Sequence, residues 1–313
     1  MIDIFYFDKV LKKAKPADLS KLNDKLVWVD ITGITKEEAE LVKANFGLHP
    51  LTIEDFINQH IRIKVEKFSD YLFCVFYGIK KTKSVELIEL DFVIGKNFVI
   101  SNHKNEIGSF SKLKNDSQKI ESLFKKGPDF IFHKLLDMEV DNYFPVLEEI
   151  GDKIEVLEEK VAKKPLPSSL VEILKLKRMV VKIKKSAFAQ REKVSFLAKN
   201  DYELISKKAV PYFRDVYDHA VRVSDYIDNS REAVGNAFDV YMSSIANNSN
   251  EVMKILSVIA TIALPLTVVS GIYGTNFEIL PGAAFPYGFW VMIFFMIILS
   301  VSMLWFFKKR NWF

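Results

Sequence analysis

Two long apolar segments near the end of the chain dominate its hydropathy pattern. Residues 255–272 contain no charged side chain, and a run of this length can cross a bilayer as a helix. Residues 279–307 are also uncharged, but prolines and glycines between 281 and 288 break the first part of the run. The pattern therefore predicts two transmembrane helices, at residues 252–273 and 288–307, joined by a short loop at 274–287.

Residues 1–128 carry a different pattern, in which short apolar runs alternate with polar turns. Runs that alternate with period two and are rich in β-branched and aromatic residues are typical of strands. They occupy residues 27–31, 71–79, 88–94 and 98–100. A capping box at Thr35 and Glu38 predicts that a helix begins after the first run. We therefore expect an α/β domain whose sheet is mostly antiparallel and flanked by helices.

From residue 129 onwards, apolar positions recur every three or four residues, as they do in amphipathic helices. Residues 129–200 are predicted to form a helical hairpin. Pro165 is expected to end its first helix, because proline cannot continue a helix. A capping box at Ser169 and Glu172 is expected to begin its second helix.

The next helix is predicted to begin near Pro211, because proline is favoured at the first helical position. No further proline follows until Pro265, which lies within the first apolar segment. A single helix over residues 211–273 would be about 95 Å long at ~1.5 Å per residue. The hydrocarbon core of a bilayer is only ~30 Å thick, so residues 201–251 are expected to form a cytoplasmic stalk.

Basic residues around the two apolar segments indicate their orientation. The connecting loop has no Lys or Arg, whereas Lys254 opens the first segment and three basic residues, 308–310, follow the second. Short cytoplasmic loops are enriched in Lys and Arg. We therefore expect a multi-pass protein of the cell (plasma or inner) membrane, surrounded by lipid. Both termini, including the basic tail at 308–313, are expected to be cytoplasmic.

Composition narrows the class of protein. The formal net charge of +4 is too small to indicate nucleic acid as a partner. The single cysteine, Cys74, excludes an intramolecular disulfide and lies in an apolar run that predicts a buried thiol. The chain has no phosphate-binding loop, dinucleotide fingerprint or HExxH motif, so we expect no enzyme. Its histidines lack metal-ligand spacing and are expected to be structural or surface residues: His49, His60, His103, His133 and His219.

Two spans in one chain cannot enclose a pore, so transport would require an oligomer. One face of the first span carries small, hydroxyl and amide side chains at steps of three or four residues. This stripe consists of Asn250, Met253, Ser257, Ala260, Leu264, Thr267 and Gly271. It predicts the lining of an ion pathway. The alternative is a helix interface without conduction, because small residues permit close helix packing.

The end of the first span resembles a known family. Residues 273–278, YGTNFE, resemble the YGMNFE signature of the CorA-type magnesium transporters. The similarity extends to residues 211–219 and 250–254, to the segment around Pro265 and to the basic, aromatic ending of the chain. These ordered blocks cover the last hundred residues, while the N-terminal domain matches mainly in pattern.

The resemblance implies a funnel-shaped homopentamer that conducts Mg²⁺, with Co²⁺ and Ni²⁺ as further candidate ions. It also implies uptake driven by the membrane potential and closed by cytoplasmic Mg²⁺ bound between subunits. The implied selectivity motif is Tyr273, Gly274, Thr275 and Asn276, with Asn276 as the ring at the entrance. The implied pore-lining and constriction residues are Asn250, Met253, Leu256, Leu264 and Thr267. Asp215 resembles the stalk carboxylate of the regulatory site, with a partner on a neighbouring subunit among Glu86, Glu89 and Asp91.

Two departures from the signature leave alternatives open. Thr275 stands where the family has Met, and relatives with other middle residues include zinc transporters of the ZntB type. The acidic loop that usually follows is replaced by LPGAA at residues 280–284, which removes negative charge from the mouth. A ZntB-like zinc transporter is therefore one alternative. A membrane-anchored sensor with non-conducting spans is another, from a different class.

Overall fold

The chain folds into two compact units. The computed structural model describes residues 1–22, 24–58, 62–81, 85–199, 202–278, 280–282, 284–310 and 312. The sheet unit comprises residues 1–159 and 167–238, and the membrane-helix unit comprises residues 160–166 and 239–313. His60, one of the histidines considered above, lies outside the described residues.

Strands come first in the chain and long helices follow. The strands are β1 (Ile2–Asp8), β2 (Val10–Ala14), β3 (Leu26–Thr32), β4 (Lys64–Lys67), β5 (Tyr71–Lys81), β6 (Val85–Gly95) and β7 (Phe98–His103). The shorter helices are α1 (Lys36–Phe46), α2 (Pro50–Ile57), α3 (Gly108–Lys114), α4 (Ser117–Phe124) and α5 (Pro128–Asp141), with a 3-10 helix at Pro16–Leu22. The longer helices are α6 (Tyr143–Lys163), α7 (Pro167–Ala198), α8 (Val210–Tyr273) and α9 (Gly288–Lys309).

The seven strands form one sheet in the order β2-β1-β3-β7-β6-β5-β4. Of the pairs in this sheet, β3 and β7 run parallel and the others run antiparallel. The hairpin of β5 and β6 is long, with Tyr71 opposite Gly95 and Lys81 opposite Val85. The expected α/β domain with a mostly antiparallel sheet is therefore confirmed.

Side chains of β5 alternate between two apolar layers, because successive residues of a strand point to opposite faces. Tyr71, Phe73 and Val75 belong to a core cluster that includes residues of α1 and α2. On the other face, the ring of Phe76 lies 6.4 Å from the ring of Phe132 in α5. Cys74 is fully buried, so the predicted core thiol is confirmed. Helices therefore cover both faces of the sheet.

The starts of α1 and α7 test the capping boxes predicted from the sequence. At α1, the hydroxyl of Thr35 accepts from the Glu38 amide while the Glu38 carboxylate accepts from the Thr35 amide, as the capping box predicts. The predicted start at Ser169 is wrong. Helix α7 begins at Pro167, and Ser169 is a buried residue of its first turn. Proline needs no partner for a backbone N–H at that position, so it begins the helix two residues earlier.

Helix α8 is continuous over 64 residues and contains Pro265, so the predicted long helix is confirmed. Helices α8 and α9 are the two described helices long and apolar enough to cross a membrane. Helix α9 runs two residues past the predicted end at 307, through Lys308 and Lys309. Lysines at the end of a span can extend their charged groups into the interface, so the helix need not stop where the apolar run stops.

A buried charge network joins the sheet to α3. The Asp30 carboxylate is 1% exposed and accepts from the Ser101 hydroxyl at 2.6 Å, with His103 Nε2 at 3.0 Å and Lys114 Nζ at 2.8 Å. Trp28 Nε1 donates to the Ser101 oxygen at 3.0 Å. Burial alone would raise the pKa of Asp30, but the hydrogen bond and charge of His103 and the charge of Lys114 lower it below its ordinary value. This stabilisation is therefore present above about pH 4 and is lost as the pH falls through the lowered pKa.

Replacing Asp30 by Asn should destabilise the sheet unit by about 3–5 kcal/mol, because Lys114 would lose its buried counter-ion. Asp3 contacts the same ammonium group at 2.8 Å but is half-exposed, so Asp3→Asn should cost less than about 1 kcal/mol. Thermal unfolding of the two full-length variants in detergent, compared with the unsubstituted protein, measures this difference. Equal losses of stability would contradict the assignment of Asp30 as the anchoring charge.

Candidate ion pathway and cation sites

The predicted stripe on α8 is exposed along its whole length. Every residue of the stripe and Leu256 are exposed in the single chain: Asn250, Met253, Leu256, Ser257, Ala260, Leu264, Thr267 and Gly271. These residues lie on the last 24 residues of the helix, within the membrane-helix unit. The stripe is therefore available to line a pathway or to pack against another subunit.

Hydroxyl groups in this part of α8 bond to the backbone of their own helix. Thr261 donates to the carbonyl of Ser257 at 2.7 Å, and Thr267 donates to the carbonyl of Ala263 at 2.9 Å. Such bonds keep a hydroxyl proton off an apolar surface and leave the oxygen lone pairs facing outward. Thr267 can therefore present an oxygen acceptor to a passing ion or to its water shell.

The signature residues form the end of α8 and the turn that follows it. The Gly274 amide donates to the carbonyl of Ser270 at 2.9 Å, and the Thr275 hydroxyl donates to that of Ile272 at 2.7 Å. A Cβ atom at Gly274 would lie only 3.1 Å from the Ser270 carbonyl oxygen, so a larger residue would crowd this turn. Tyr273 Oη donates to the carbonyl of Pro281, which ties the helix end to the connecting loop.

Asn276 lies beyond this turn with an exposed side chain. Asn is common as a C-cap of helices, but α8 ends at Tyr273 and Asn276 lies three residues beyond it. Gly274 and Thr275 donate to the carbonyls of Ser270 and Ile272 at the end of α8, and the described residues offer no hydrogen bond to the Asn276 amide. In the described structure Asn276 is not the C-cap of α8, and its amide is available for other partners.

Asp215 lies near a cluster of acidic and imidazole groups in the sheet unit. His219 Nδ1 lies 2.7 Å from Asp141 Oδ1, and His219 Nε2 lies 3.9 Å from Asp215 Oδ1. Ligand atoms of Asp137, Asp141 and His219 lie within 4.8 Å of one another and could hold a metal ion. The Asp215 side chain is 67% exposed, so it can also reach a second subunit.

The sequence prediction missed this cluster. His219 was expected to be a structural or surface residue because the histidines have no ligand spacing, yet the structure places it beside two carboxylates. The usable signal was a pair of four-residue spacings, since residues four apart share one helix face. Asp137 and Asp141 have this spacing on α5, and Asp215 and His219 have it on α8. No local pattern shows that these two faces meet.

His133 lies at the edge of the same cluster and is mostly buried. Burial lowers its pKa, and the charge of Lys134 acts in the same direction, while Asp137 and Asp215 oppose both. The Lys134 ammonium contacts Asp137 at 2.6 Å. A cation bound by Asp137 would therefore have to displace Lys134, whereas Asp141 and Asp215 have no lysine partner among the described residues.

The predicted partners of Asp215 lie elsewhere in the sheet unit. Glu86, Glu89 and Asp91 line one cavity on the sheet, and Asp215 is not among its lining residues. Asp91 is 4% exposed, which leaves it little access to a neighbouring chain. The pairing of Asp215 with one of these carboxylates requires a second subunit and stays a prediction.

Comparison with known proteins assigns the chain to a family. The family model described as "CorA-like Mg2+ transporter protein" matches residues 23–309. The cobalt/magnesium transport protein CorA of Thermotoga maritima is 39% identical over 291 residues, which cover 91% of this chain and 83% of the relative. This match includes the sheet unit, where the sequence resemblance rested mainly on pattern.

Solved structures agree in fold. The complete structure of the CorA magnesium transporter from Methanocaldococcus jannaschii matches with a TM-score of 0.88 at 22% identity, covering 100% of this chain and 99% of that chain. The ZntB cytoplasmic domain from Vibrio parahaemolyticus RIMD 2210633 matches with a TM-score of 0.62 at 12% identity, covering 78% of this chain and 98% of that chain. At these identities the matches describe the fold alone. With most of its length matched by one family model, this chain belongs to the CorA-like Mg²⁺ transporter family.

Proposed function

We propose that this protein transports Mg²⁺ and Co²⁺ across the cell membrane. The observation that carries the proposal is the exposed amide of Asn276, which follows a membrane-length helix without a bond to the described residues. A relative with 39% identity is named a cobalt/magnesium transport protein, which supports the same substrates here. Ni²⁺ is a further candidate ion.

The pathway lies on the axis of an oligomer, which we propose to be a funnel-shaped homopentamer. One chain supplies two membrane helices, and two helices cannot surround a pore. The exposed stripe on α8 suits the inner ring, because it carries amide and hydroxyl groups among small residues. Helix α9 presents large apolar side chains such as Phe294 and Ile298 to its surroundings, which suits contact with lipid.

Asn276 is proposed to recognise the hydrated ion. Mg²⁺ loses its bound water reluctantly, so a ring of neutral amide oxygens that binds the water shell avoids the cost of dehydration. Met253 and Leu256 would form an apolar constriction, which excludes water when it narrows. The inside-negative potential supplies about 2.3 kcal/mol per charge for each 100 mV, so uptake needs no nucleotide hydrolysis.

We infer that both termini are cytoplasmic and that residues 274–287 face outward. The support is the distribution of basic residues, since Lys308, Lys309 and Arg310 follow the second span and the loop has none. In this orientation, the C-terminal end of α8 points to the outside. Its dipole adds negative potential where cations enter, which partly replaces the missing acidic loop.

Asp215 is proposed to belong to a regulatory Mg²⁺ site between subunits. Asp141 and His219 lie beside it, so a cation at this point would meet several ligand atoms from one chain. A carboxylate from a neighbouring chain, with Glu86 and Glu89 as candidates, would complete the site. High cytoplasmic Mg²⁺ would hold the subunits closed, and loss of the ion would leave like charges that repel one another.

The zinc alternative rests on Thr275 and on the shared fold of a ZntB cytoplasmic domain. Because that likeness describes the fold alone, flux measurements decide between the ions. Reconstituted protein should carry Mg²⁺ and Co²⁺ under an imposed inside-negative potential, and Ni²⁺ and Zn²⁺ provide the comparison. Zinc uptake without magnesium uptake would favour the alternative, and the absence of all flux would favour non-conducting spans.

Asn276→Ala should reduce Mg²⁺ uptake into proteoliposomes to the level of protein-free vesicles, because the amide ring would be lost. Asn115→Ala makes the same chemical change at an exposed helix end in the sheet unit and should leave uptake unchanged. Native mass measurements should show the same oligomer for both variants. Normal flux through Asn276→Ala would remove the selectivity ring from the mechanism.

Asp215→Ala should weaken the protection from protease that Mg²⁺ gives to the full-length protein, because one ligand of the regulatory site would be lost. Asp218 lies three residues further along the same helix and is also exposed, so Asp218→Ala is the matched control and should keep full protection. The measurement is the rate of cleavage at low and high Mg²⁺. If both variants are protected like the original protein, Asp215 is not a ligand.

A further inference from the structure

A cavity of about 190 Å³ lies on the sheet beside the end of α2. Three acidic residues line it, together with Tyr77 of β5, Phe56 of α2 and Asn102 of β7. The acidic residues are Glu86, Glu89 and Asp91, all on β6. Asn102 faces Asp91 directly across the β6–β7 pair. The cavity is lined by residues of the sheet unit and is complete within one chain.

Asp91 and Asn102 each bring an oxygen atom that has no hydrogen-bond partner. Asp91 is 4% exposed and Asn102 is 5% exposed. The Asn102 amide nitrogen donates to Asp91 Oδ2 at 2.8 Å and to the carbonyl of Phe56 at 3.1 Å. Asp91 Oδ1 and Asn102 Oδ1 are both unpartnered among the atoms that the structure describes.

The orientation of the Asn102 amide is fixed by its neighbours. The carbonyl oxygen of Phe56 can only accept a hydrogen bond, and the Asp91 carboxylate also only accepts when it is ionised. Turning the amide over would place its oxygen against two acceptors, so Oδ1 must point away from them. Two buried acceptors are therefore left without a donor, which is unfavourable if nothing binds them.

The charges around this pair are mainly negative. Burial and then the charge of Glu89 raise the pKa of Asp91, and Asp55 adds to the rise while Lys64 opposes it. Lys64 already contacts Asp55 at 2.7 Å and Glu66 at 2.9 Å. Lys104 also lines the cavity, but it is exposed and forms no ion pair with these acids in the described part of the chain. Both ring nitrogens of His103 face other oxygens, at Asp30 and Asn105, so His103 is not available as a ligand.

We propose that this cavity binds a hard divalent cation within each subunit, with Asp91 Oδ1 and Asn102 Oδ1 as protein ligands. Carboxylate and amide oxygens are the ligands that Mg²⁺ and Ca²⁺ take in proteins, and the ligand set contains no sulfur or free imidazole. The half-buried Glu89 carboxylate, which accepts from Tyr77 Oη at 2.8 Å, adds negative charge beside the ion. The volume leaves room for several waters, as Mg²⁺ requires.

The bound ion would join β6, β7 and the end of α2. Asn102 already links the two strands to the carbonyl of Phe56, the residue before the last of α2. A cation on the Asn102 oxygen would hold this arrangement without a second subunit. This feature separates the site from the one at Asp215, which needs a neighbour. The proposal does not depend on transport.

The test counts bound ions in full-length protein in detergent, with Mn²⁺ as the probe because its electron paramagnetic resonance signal distinguishes free from bound metal. Asp215→Ala serves as the background, so that the proposed regulatory site does not contribute. Asp91→Asn is added to this background because it keeps the shape of the side chain and an acceptor for Asn102. Asp24→Asn, an exposed residue without a recorded partner, makes the same charge change as a control.

The Asp215→Ala protein and its Asp24→Asn derivative should each bind one more Mn²⁺ per chain than the Asp91→Asn derivative, and excess Mg²⁺ should displace that ion. Without divalent cations, Asp91→Asn should melt no lower than its background, which shows that the unit is folded. Equal Mn²⁺ counts in all three proteins would overturn the proposal and identify Asp91 as a buried neutral acid. That outcome would leave the flux of Mg²⁺ unaffected, so the two proposals can fail separately.

Discussion

The structure depends on one constraint, which is that every backbone polar group inside a bilayer must be paired within the protein. Helix α8 meets it with helical backbone bonds along its 64 residues, and Pro265 is the one proline beyond its first turn. Pro265 has no backbone N–H, so it cannot donate the helical hydrogen bond to the carbonyl of Thr261, four residues earlier. The amide and hydroxyl side chains that suit ions can therefore follow one face of an otherwise apolar helix.

The pKa values of the buried carboxylates on the two faces of the sheet shift in opposite directions. On the face toward α5, Asp30 is surrounded by Ser101, His103 and Lys114, and its pKa falls. On the face toward α1 and α2, Asp91 has an amide and another carboxylate as neighbours, and its pKa rises. The first arrangement is complete within the chain. The second has acceptors without donors, so it calls for a proton or a metal ion.

Much of the fold was predictable because its signals are local. The capping box at Thr35, the apolar runs that form β5 and β6 and the helix without a stop from 211 to 273 each follow from neighbouring residues. The start at Ser169 failed because a nearby proline offered an equally local signal. The cluster of Asp137, Asp141 and His219 could not be predicted from the sequence. Its contact between Asp141 and His219 joins residues 78 positions apart, which only tertiary packing brings together.

The signature at residues 273–278 was also predictable only in part. Its spacing located the helix end. In the structure, Gly274 and Thr275 donate to the Ser270 and Ile272 carbonyls of α8, while the Asn276 amide makes no hydrogen bond to the described residues. The hydroxyl of Thr275 is occupied by the Ile272 carbonyl, so it acts on the shape of the turn before it acts on an ion. A methionine there could not make this bond. The departure from the family signature therefore changes the hydrogen bonding of the turn that precedes Asn276, while the Asn276 amide of the signature is retained.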